Sequence, residues 1–231
     1  MVLRGLIYDT FSLLFPRLCN ACGEPLCMQE KQLCTTCLAD LPYTDFHRHA
    51  DNRFARQFWG RMPVQGAVAL FYFRKGGKIQ EVIHNIKYRG QGETAILLGQ
   101  LLGQRLLESP YFNTIDEIIP VPLHPKRQSR RGYNQAALLA EGIGQVISRP
   151  LNNQSLIRKK STASQTTKSR FIRHQSIQDV FGLHALARLE NKHILLVDDV
   201  MTTGATLEAC GQILLNQKIR QLSIATLAFT C

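Results

Sequence analysis

The sequence predicts an α/β protein: a mostly parallel sheet with helices on both faces, preceded by a small N-terminal cysteine-rich module. Three observations carry this expectation. From Val64 onward, strand-like apolar runs alternate with stretches at helical spacing. One of those runs, His193-Ile-Leu-Leu-Val197, is apolar almost throughout, as in a strand buried on both faces of a parallel sheet. Near the start, Cys19, Cys22, Cys34 and Cys37 form two Cys-x-x-Cys pairs.

The bulk composition fits this frame. The chain has 231 residues, 45% of them hydrophobic and 19% charged, enough for one good core with a small appendage and far from a disordered composition. No apolar run approaches the roughly 20 residues that span a bilayer. Met1 to Leu18 is apolar but interrupted by Arg4, Asp9 and Arg17, and it lacks a small-residue cleavage site, so a signal peptide is not expected. Leu3, Leu6, Ile7, Phe11, Leu14 and Phe15 fall at helical spacing and predict an amphipathic helix packed on its own domain. Few basic residues accompany it, which argues against a membrane-surface helix and stable membrane insertion.

The cysteines come next. Two residues between the members of a pair let each pair grip one side of a metal from a tight turn, and two such turns close a tetrahedron. Cys19, Cys22, Cys34 and Cys37 therefore predict a structural Zn2+ site, with Gly23 supplying a permissive backbone after the first pair. Cys27 lies inside the loop as a spectator or a competing ligand. Cys210 and Cys231 read as buried thiols. Fewer than 30 residues around the cysteines cannot bury a useful core, so metal binding would supply much of the folding energy. Thr44 to Met62 is polar, with His47, His49 and Asp51, and reads as a solvated linker. The expected division is 1–60 for the helix and four-cysteine module and 61–231 for the α/β domain.

Along that domain, Val64 to Phe73 reads as a strand broken by Gly76-Gly77. Lys78 to Tyr88 and Glu93 to Leu107 read as helices, the second ended by Ser109-Pro110. Gly99 and Gly103 form a small-residue pair suited to close helix packing. Asp116 to Pro122 is a buried strand stopped by prolines. Gly132 to Val146 reads as one helix with Asn134 near its start. Leu156 opens a further strand, Lys159 to Gln175 reads as a polar loop or short helix, Thr206 to Gln217 as a helix and Leu222 to Phe229 as the last strand.

The most informative segment follows the buried strand. Asp198 and Asp199 stand at its carboxyl end, where ligands gather in parallel α/β sheets. Then comes a loop of small and hydroxyl residues, Thr202-Thr203-Gly204-Ala205-Thr206, running into a helix whose free N–H groups and positive end suit a phosphate monoester. Gly204 permits close backbone approach, and the threonines add hydroxyl donors. Two carboxylates beside a phosphate make sense if they accept hydrogen bonds from vicinal sugar hydroxyls or bind magnesium held by the ligand. The ligand so described is a ribose 5-phosphate. A helix cap needs only one acid and does not explain the whole run. No Gly-Lys-Ser/Thr follows, so this is not a P-loop.

Charge points the same way. The net charge is +11, and from Pro120 to Gln175 eleven basic residues face one acid, Glu141. So concentrated a positive field suits a polyanion: pyrophosphate, phosphoribosyl pyrophosphate (PRPP) or nucleic acid.

Val197 to Thr206 resembles the PRPP signature of type I phosphoribosyltransferases. The wider chain resembles the ComF/GntX family of competence-related proteins almost end to end. The matching pieces are the double Cys-x-x-Cys, Ile86-Lys87-Tyr88-Arg89-Gly90, Ile119 to Pro125 with Lys126-Arg127, Arg131-Gly132-Tyr133-Asn134-Gln135-Ala136, and Gln165 to Phe181. In that last stretch the family pattern has Leu, Asn and Ala where this chain has Lys168, Ser176 and Val180, which bears on acceptor recognition. The resemblance implies a phosphoribosyltransferase-type domain behind a zinc-ribbon-like module, in a cytoplasmic protein that supports uptake or use of exogenous DNA. It implies PRPP with Mg2+ at Asp198, Asp199, Met201, Thr202, Thr203, Gly204, Ala205 and Thr206, and partners among competence or DNA-processing proteins.

Phosphoribosyl transfer expels pyrophosphate from the anomeric carbon, and its catalysis is mainly positioning and charge stabilisation. The loop after Ile119 is the natural pyrophosphate site, with Arg131, Lys126 and Arg127 as donors and Lys87 and Arg89 as secondary ones. Asp198, Asp199 and Arg131 are the expected catalytic set. No residue declares itself as general acid or base, and His124 between two prolines reads as structural. Two readings stay open. One is an enzyme of the glycosyltransferase class acting on a nitrogen acceptor. The other is a PRPP-sensing or single-stranded nucleic-acid-binding protein without turnover.

Overall fold

The computed structural model describes residues 16–159 and 180–230. The expected amphipathic helix at the N-terminus, the basic residues Lys160, Lys168, Arg170 and Arg173, and Cys231 lie outside the described residues.

A short helix α1 (Thr35–Asp40) begins within the second cysteine pair and carries Cys37, with the Cys34 side chain accepting from the Cys37 N–H at its start. The sheet then begins with β1 (Gly66–Phe73), followed by α2 (Lys78–Tyr88), α3 (Gly92–Leu107), β2 (Glu117–Pro120), α4 (Pro125–Arg131) and α5 (Gln135–Ile147). A two-stranded antiparallel pair, β3 (Leu156–Arg158) and β4 (Phe181–Leu183), stands apart. The chain closes with β5 (His193–Met201), α6 (Ala205–Leu215) and β6 (Gln221–Thr230). The main sheet has the order β1-β6-β5-β2, and all three pairings are parallel. The expectation of a mostly parallel α/β sheet holds.

The centre of the sheet is its most apolar part. Ile194 to Val197 on β5 and Leu222 to Phe229 on β6 are all buried, and apolar apart from Ser223 and Thr226, whose hydroxyl donates to the Ala228 carbonyl. Burial on both faces explains why these strands read as continuous apolar runs. At the amino end of β5, buried His193 is satisfied on both ring nitrogens, by Thr114 Oγ1 and Ser223 Oγ, each at 2.8 Å. It is a structural residue.

Gly99 and Gly103 serve close packing. A Cβ on Gly99 would stand 2.2 Å from the Leu139 carbonyl oxygen, and one on Gly142 would stand 2.1 Å from that of Ile96. Only hydrogen at these positions lets the backbones of α3 and α5 approach so closely.

Three expectations need correction. The helix expected from Gly132 to Val146 begins later, at Gln135. Gly132 has φ 82° and closes α4 in the left-handed region, and Asn134 then opens α5 by accepting from the Ala136 N–H at 3.1 Å. The basic residues before Gly132 therefore sit on a helix of their own, with Pro125 in its first turn. Second, the strand after His193 does not stop at Val197. It continues through the acid pair to Met201, because Asp198 and Val200 still pair with Thr226 and Ala228 of β6.

Third, Thr44 to Met62 is not a solvated linker. Phe46, Phe54, Phe58 and Met62 are buried in the common core. The Thr44 N–H donates to the Leu70 carbonyl, and the Asn52 amide donates to that of Ala67 at 2.9 Å, so the segment covers β1. Its apolar residues follow neither strand nor helix period, so periodicity passed over them. His47 is buried, while His49 and Asp51 are exposed and pair with Asp45 and Arg56. None of the three reaches the cysteines. Among the described residues, no helix is long and apolar enough to cross a membrane.

Candidate functional site

The acid pair sits at the carboxyl end of β5, where the sheet twist opens a crevice. Each acid caps local backbone: Asp198 Oδ1 accepts from the Asp199 N–H at 2.8 Å, and Asp199 Oδ1 accepts from the Val200 N–H at 2.7 Å. These bonds hold both side chains without consuming all their acceptor capacity. Neither acid caps the following helix. Its N-cap is Gly204, at φ 77°, with no side-chain hydrogen bond. The Ala205 N–H reaches only Thr203 Oγ1, at 3.5 Å, so the first turn of α6 is weakly occupied and open to an external acceptor.

The acids differ in environment. Lys87, from the last turn of α2, places Nζ 2.6 Å from Asp199 Oδ2. Burial pushes the Asp198 carboxyl up to about 8, and the negative charge of Asp199 adds to that rise. Burial and the neighbouring charge thus disfavour the ionised form of Asp198, while Lys87 compensates Asp199.

A cavity of about 450 Å³ opens at this point, lined by Phe73, Ile83, His84, Lys87, Tyr88 and Asp199, with Thr202 at its edge. Its size and mixed apolar and charged lining suit a small-molecule ligand. The rim is aromatic and basic. The His84 and Tyr88 rings lie 5.1 Å apart, and the guanidinium groups of Arg131 and Arg130 stand 5.2 and 5.9 Å from the Tyr88 ring.

The loop expected to hold phosphate joins the end of β5 to the start of α6. Thr202 and Thr203 are exposed, Ala205 and Thr206 half-buried, and Gly204 buried at the turn. Met201 belongs to the core, beneath Gly204, so any part it takes in binding falls to its main chain. Of the expected cations, Lys87 joins the acids directly. Arg131 is tethered at the rim, its Nη1 donating to Gln135 Oε1 at 2.8 Å. Lys126 and Arg127 are exposed on α4. His124 is the N-cap of that helix, accepting from the Lys126 N–H at 3.2 Å. Arg89 pairs with Glu81 instead.

Sequence reading missed two residues here. Arg158 on β3 stacks on Phe181, with its guanidinium 5.2 Å from the ring. Burial and the neighbouring Arg127 lower its pKa, while Cys210 and Asp198 pull the other way. Its Nε is buried without a partner. Arg61 closes on the phosphate loop from behind, donating to the Thr203 carbonyl. No local signal marks either one, since their places depend on chain returning from far away.

The four cysteine sulfurs gather as the spacing predicts. They all lie within 4.8 Å of one another, with Cys22 and Cys34 Sγ 3.8 Å apart, so the cluster can hold a metal ion. The Cys34 N–H donates to Cys19 Sγ and the Cys37 N–H to Cys34 Sγ. Burial pushes the Cys19 thiol up, but the backbone donors of Cys34, Ala21 and Cys22 outweigh it and bring the thiol down to about 7, which favours the thiolate. Cys27 is exposed and outside the cluster, and Cys210 is buried.

With the geometry in view, the relatives are informative. Residues 133–230, which include both acids and the loop, match the family described as "Phosphoribosyl transferase domain". The DNA utilization protein YhgH of Salmonella typhimurium is 27% identical over 215 residues, covering 87% of this chain and 91% of that protein. Competence protein F of Haemophilus influenzae is 29% identical over 217 residues, covering 91% of this chain and 90% of that protein. Competence protein ComFC of Bacillus subtilis is 29% identical over 150 residues, covering 60% of this chain and 54% of that protein. Among solved structures, the purine phosphoribosyltransferase from Pyrococcus horikoshii Ot3 aligns with a TM-score of 0.35 at 24% identity, over 60% of this chain and 74% of that one.

Proposed function

We propose, because this chain belongs to the ComF-like family of phosphoribosyltransferase-type proteins, that it binds PRPP with Mg2+ at the β5–α6 crossing and serves the uptake or use of exogenous DNA. The carrying observation is the pairing of Lys87 with Asp199 beside Asp198, directly before a helix start without a side-chain cap. In this reading the 5-phosphate lies on the N–H groups of Gly204 to Thr206 and the hydroxyls of Thr202 and Thr203. Asp198 and Asp199 accept from the ribose diol. Arg131, Lys126 and Arg127 approach the pyrophosphate from the rim, where guanidinium forks match phosphate oxygens. Mg2+ would travel with the ligand and offset its charge.

The four-cysteine cluster, within residues 1–60, is read as a structural zinc site in front of a phosphoribosyltransferase-like domain at 61–231. A tetrahedron with Zn–S bonds near 2.3 Å has sulfur–sulfur edges of about 3.8 Å. The Cys22–Cys34 separation of 3.8 Å fits that edge, and four protein thiolates leave no position for a reacting water.

Turnover is a separate matter from binding. Isothermal titration with Mg-PRPP tests the site, and pyrophosphate release across a panel of nitrogen bases tests the enzyme. Release with one base supports a transferase. Binding without release supports the second reading, a PRPP-sensing or single-stranded nucleic-acid-binding protein. That reading is favoured by cations beyond those assigned to the pyrophosphate, Arg130 and Lys159 being exposed among the described residues. Single-stranded DNA should then bind weakly and lose affinity steeply with salt, and reversing Lys159, Lys160 and Arg170 to Glu should weaken DNA far more than PRPP.

A further inference from the structure

Arg61 has no counterpart in the sequence motifs, yet three of its contacts converge on the phosphate loop and its helix. Its guanidinium donates to the carbonyl oxygen of Thr203 at 3.4 Å and to that of Gln57 at 3.1 Å. It makes a close ion pair with the carboxylate of Glu208, in the first turn of α6. Its own carbonyl accepts from Gln212 Nε2 at 2.7 Å, one turn further along α6. Phe58, from the same segment, lies under Gly204: a Cβ there would sit 3.6 Å from the Phe58 ring and 3.8 Å from Arg61 Nη1.

Glu208 makes this arrangement consequential. A carboxylate in the first turn stabilises a helix by opposing its positive end. The same carboxylate opposes an anion bound at that end. Arg61 resolves the conflict, since a guanidinium stays charged at any working pH and neutralises Glu208 in place. Its planar fork also reaches the Thr203 carbonyl, so one side chain braces the loop and the helix together.

We propose that Arg61 is the positioning residue of the phosphate loop: it holds Thr203 and cancels Glu208, keeping the start of α6 both shaped and electropositive for a phosphate ester. The inference rests on the PRPP reading of the site and adds a residue from the opposite end of the chain to it.

The test is titration of Mg-PRPP and of ribose 5-phosphate into the parent, R61A, R61Q and the double variant R61A/E208Q, with thermal unfolding of each. R61A and R61Q should bind both ligands roughly tenfold or more weakly, the scale of losing a charged hydrogen-bonding partner. R61A/E208Q should recover a good part of that loss, because the uncompensated carboxylate is gone. Rescue by removing a second charge is not what a purely structural arginine would give. If R61A and R61Q bind as the parent does, or if E208Q restores nothing, the positioning role is overturned while the PRPP site stands. If the parent binds neither ligand, both readings fall. Should R61A unfold, R61Q, which keeps length and a hydrogen-bonding amide, gives the answer.

Discussion

The side-chain amide of Asn85 donates to the backbone carbonyl of Asn20 at 2.9 Å, a buried bond across 65 residues of sequence. It joins the first cysteine knuckle to α2, two residues before Lys87. The Asn20 amide in turn donates to Thr94 Oγ1 at 2.8 Å and to Gln32 Oε1 at 3.1 Å. The cysteine module is thus seated on the helices that border the acid pair. Buried polar networks of this kind fix one arrangement and are costly to leave half made.

Asn85→Ala should therefore destabilise the protein by about 1–3 kcal/mol, the cost of leaving a buried carbonyl without its donor. Denaturant unfolding of variant and parent measures this. An unchanged midpoint would mean that the module is held by other contacts.

One zinc should co-purify per chain, and Cys34→Ser with Cys37→Ser should lose it. Elemental analysis of protein prepared without chelator decides both points. Because the knuckle seats on α2 through Asn85, removing the metal should also lower the melting temperature and weaken PRPP binding. Chelated protein that melts like the untreated form would separate the metal from the fold.

Asp198→Asn with Asp199→Asn should abolish PRPP binding and leave the fold intact, since neither carboxylate bonds beyond its own backbone neighbourhood and Lys87. Lys87→Ala should weaken binding less, because it removes the compensation of Asp199 and not the acids themselves. Titration with circular dichroism as a control separates the two effects. Parent-like affinity in the double variant would place the ligand elsewhere.

Affinity for PRPP should rise with pH. In the free protein Asp198 is pushed up to about 8 from an ordinary value of 3.8, so a ligand that requires its carboxylate must expel a proton. Binding should strengthen by up to tenfold per unit as pH rises, levelling off near 8. The sign for stability is opposite: the folded state holds the extra proton, so the ligand-free fold loses stability as pH rises from 3.8 to about 8. Asp198→Asn should flatten both profiles. A pH-independent affinity in the parent would show that Asp198 does not contact the ligand.

Gly142→Ala should cost about 1–3 kcal/mol in spite of alanine's better helix propensity, because its Cβ would strike the Ile96 carbonyl. Denaturant unfolding reads the loss directly. A stabilised variant would mean that α3 and α5 can separate without penalty.

The kind of sheet and the candidate site were legible because their signals are local. An apolar run ending in two acids and a threonine-glycine loop is a strand-turn-helix whose chemistry depends on neighbours in sequence. Paired cysteines at a two-residue spacing likewise carry their geometry with them. The helix at Pro125–Arg131 was not legible because it is polar throughout and buries no residue, so it carries no apolar period to read.

The sequence by itself determined the acid pair, the loop and the four-cysteine cluster, since each is a contiguous or nearly contiguous pattern whose backbone conformation its own residues impose. Only the tertiary structure decided which cations serve them. Lys87 meets Asp199 across 112 residues, and Arg61 meets Glu208 across 147, from a segment whose polarity resembled a linker. Such pairings follow from strand order and core packing. Burial of Phe54, Phe58 and Met62 draws the segment before β1 over the sheet and delivers Arg61 to the loop. The hydrophobic effect that drives that burial depends on area and not on sequence neighbourhood. No inspection of the residues around Arg61 could announce it.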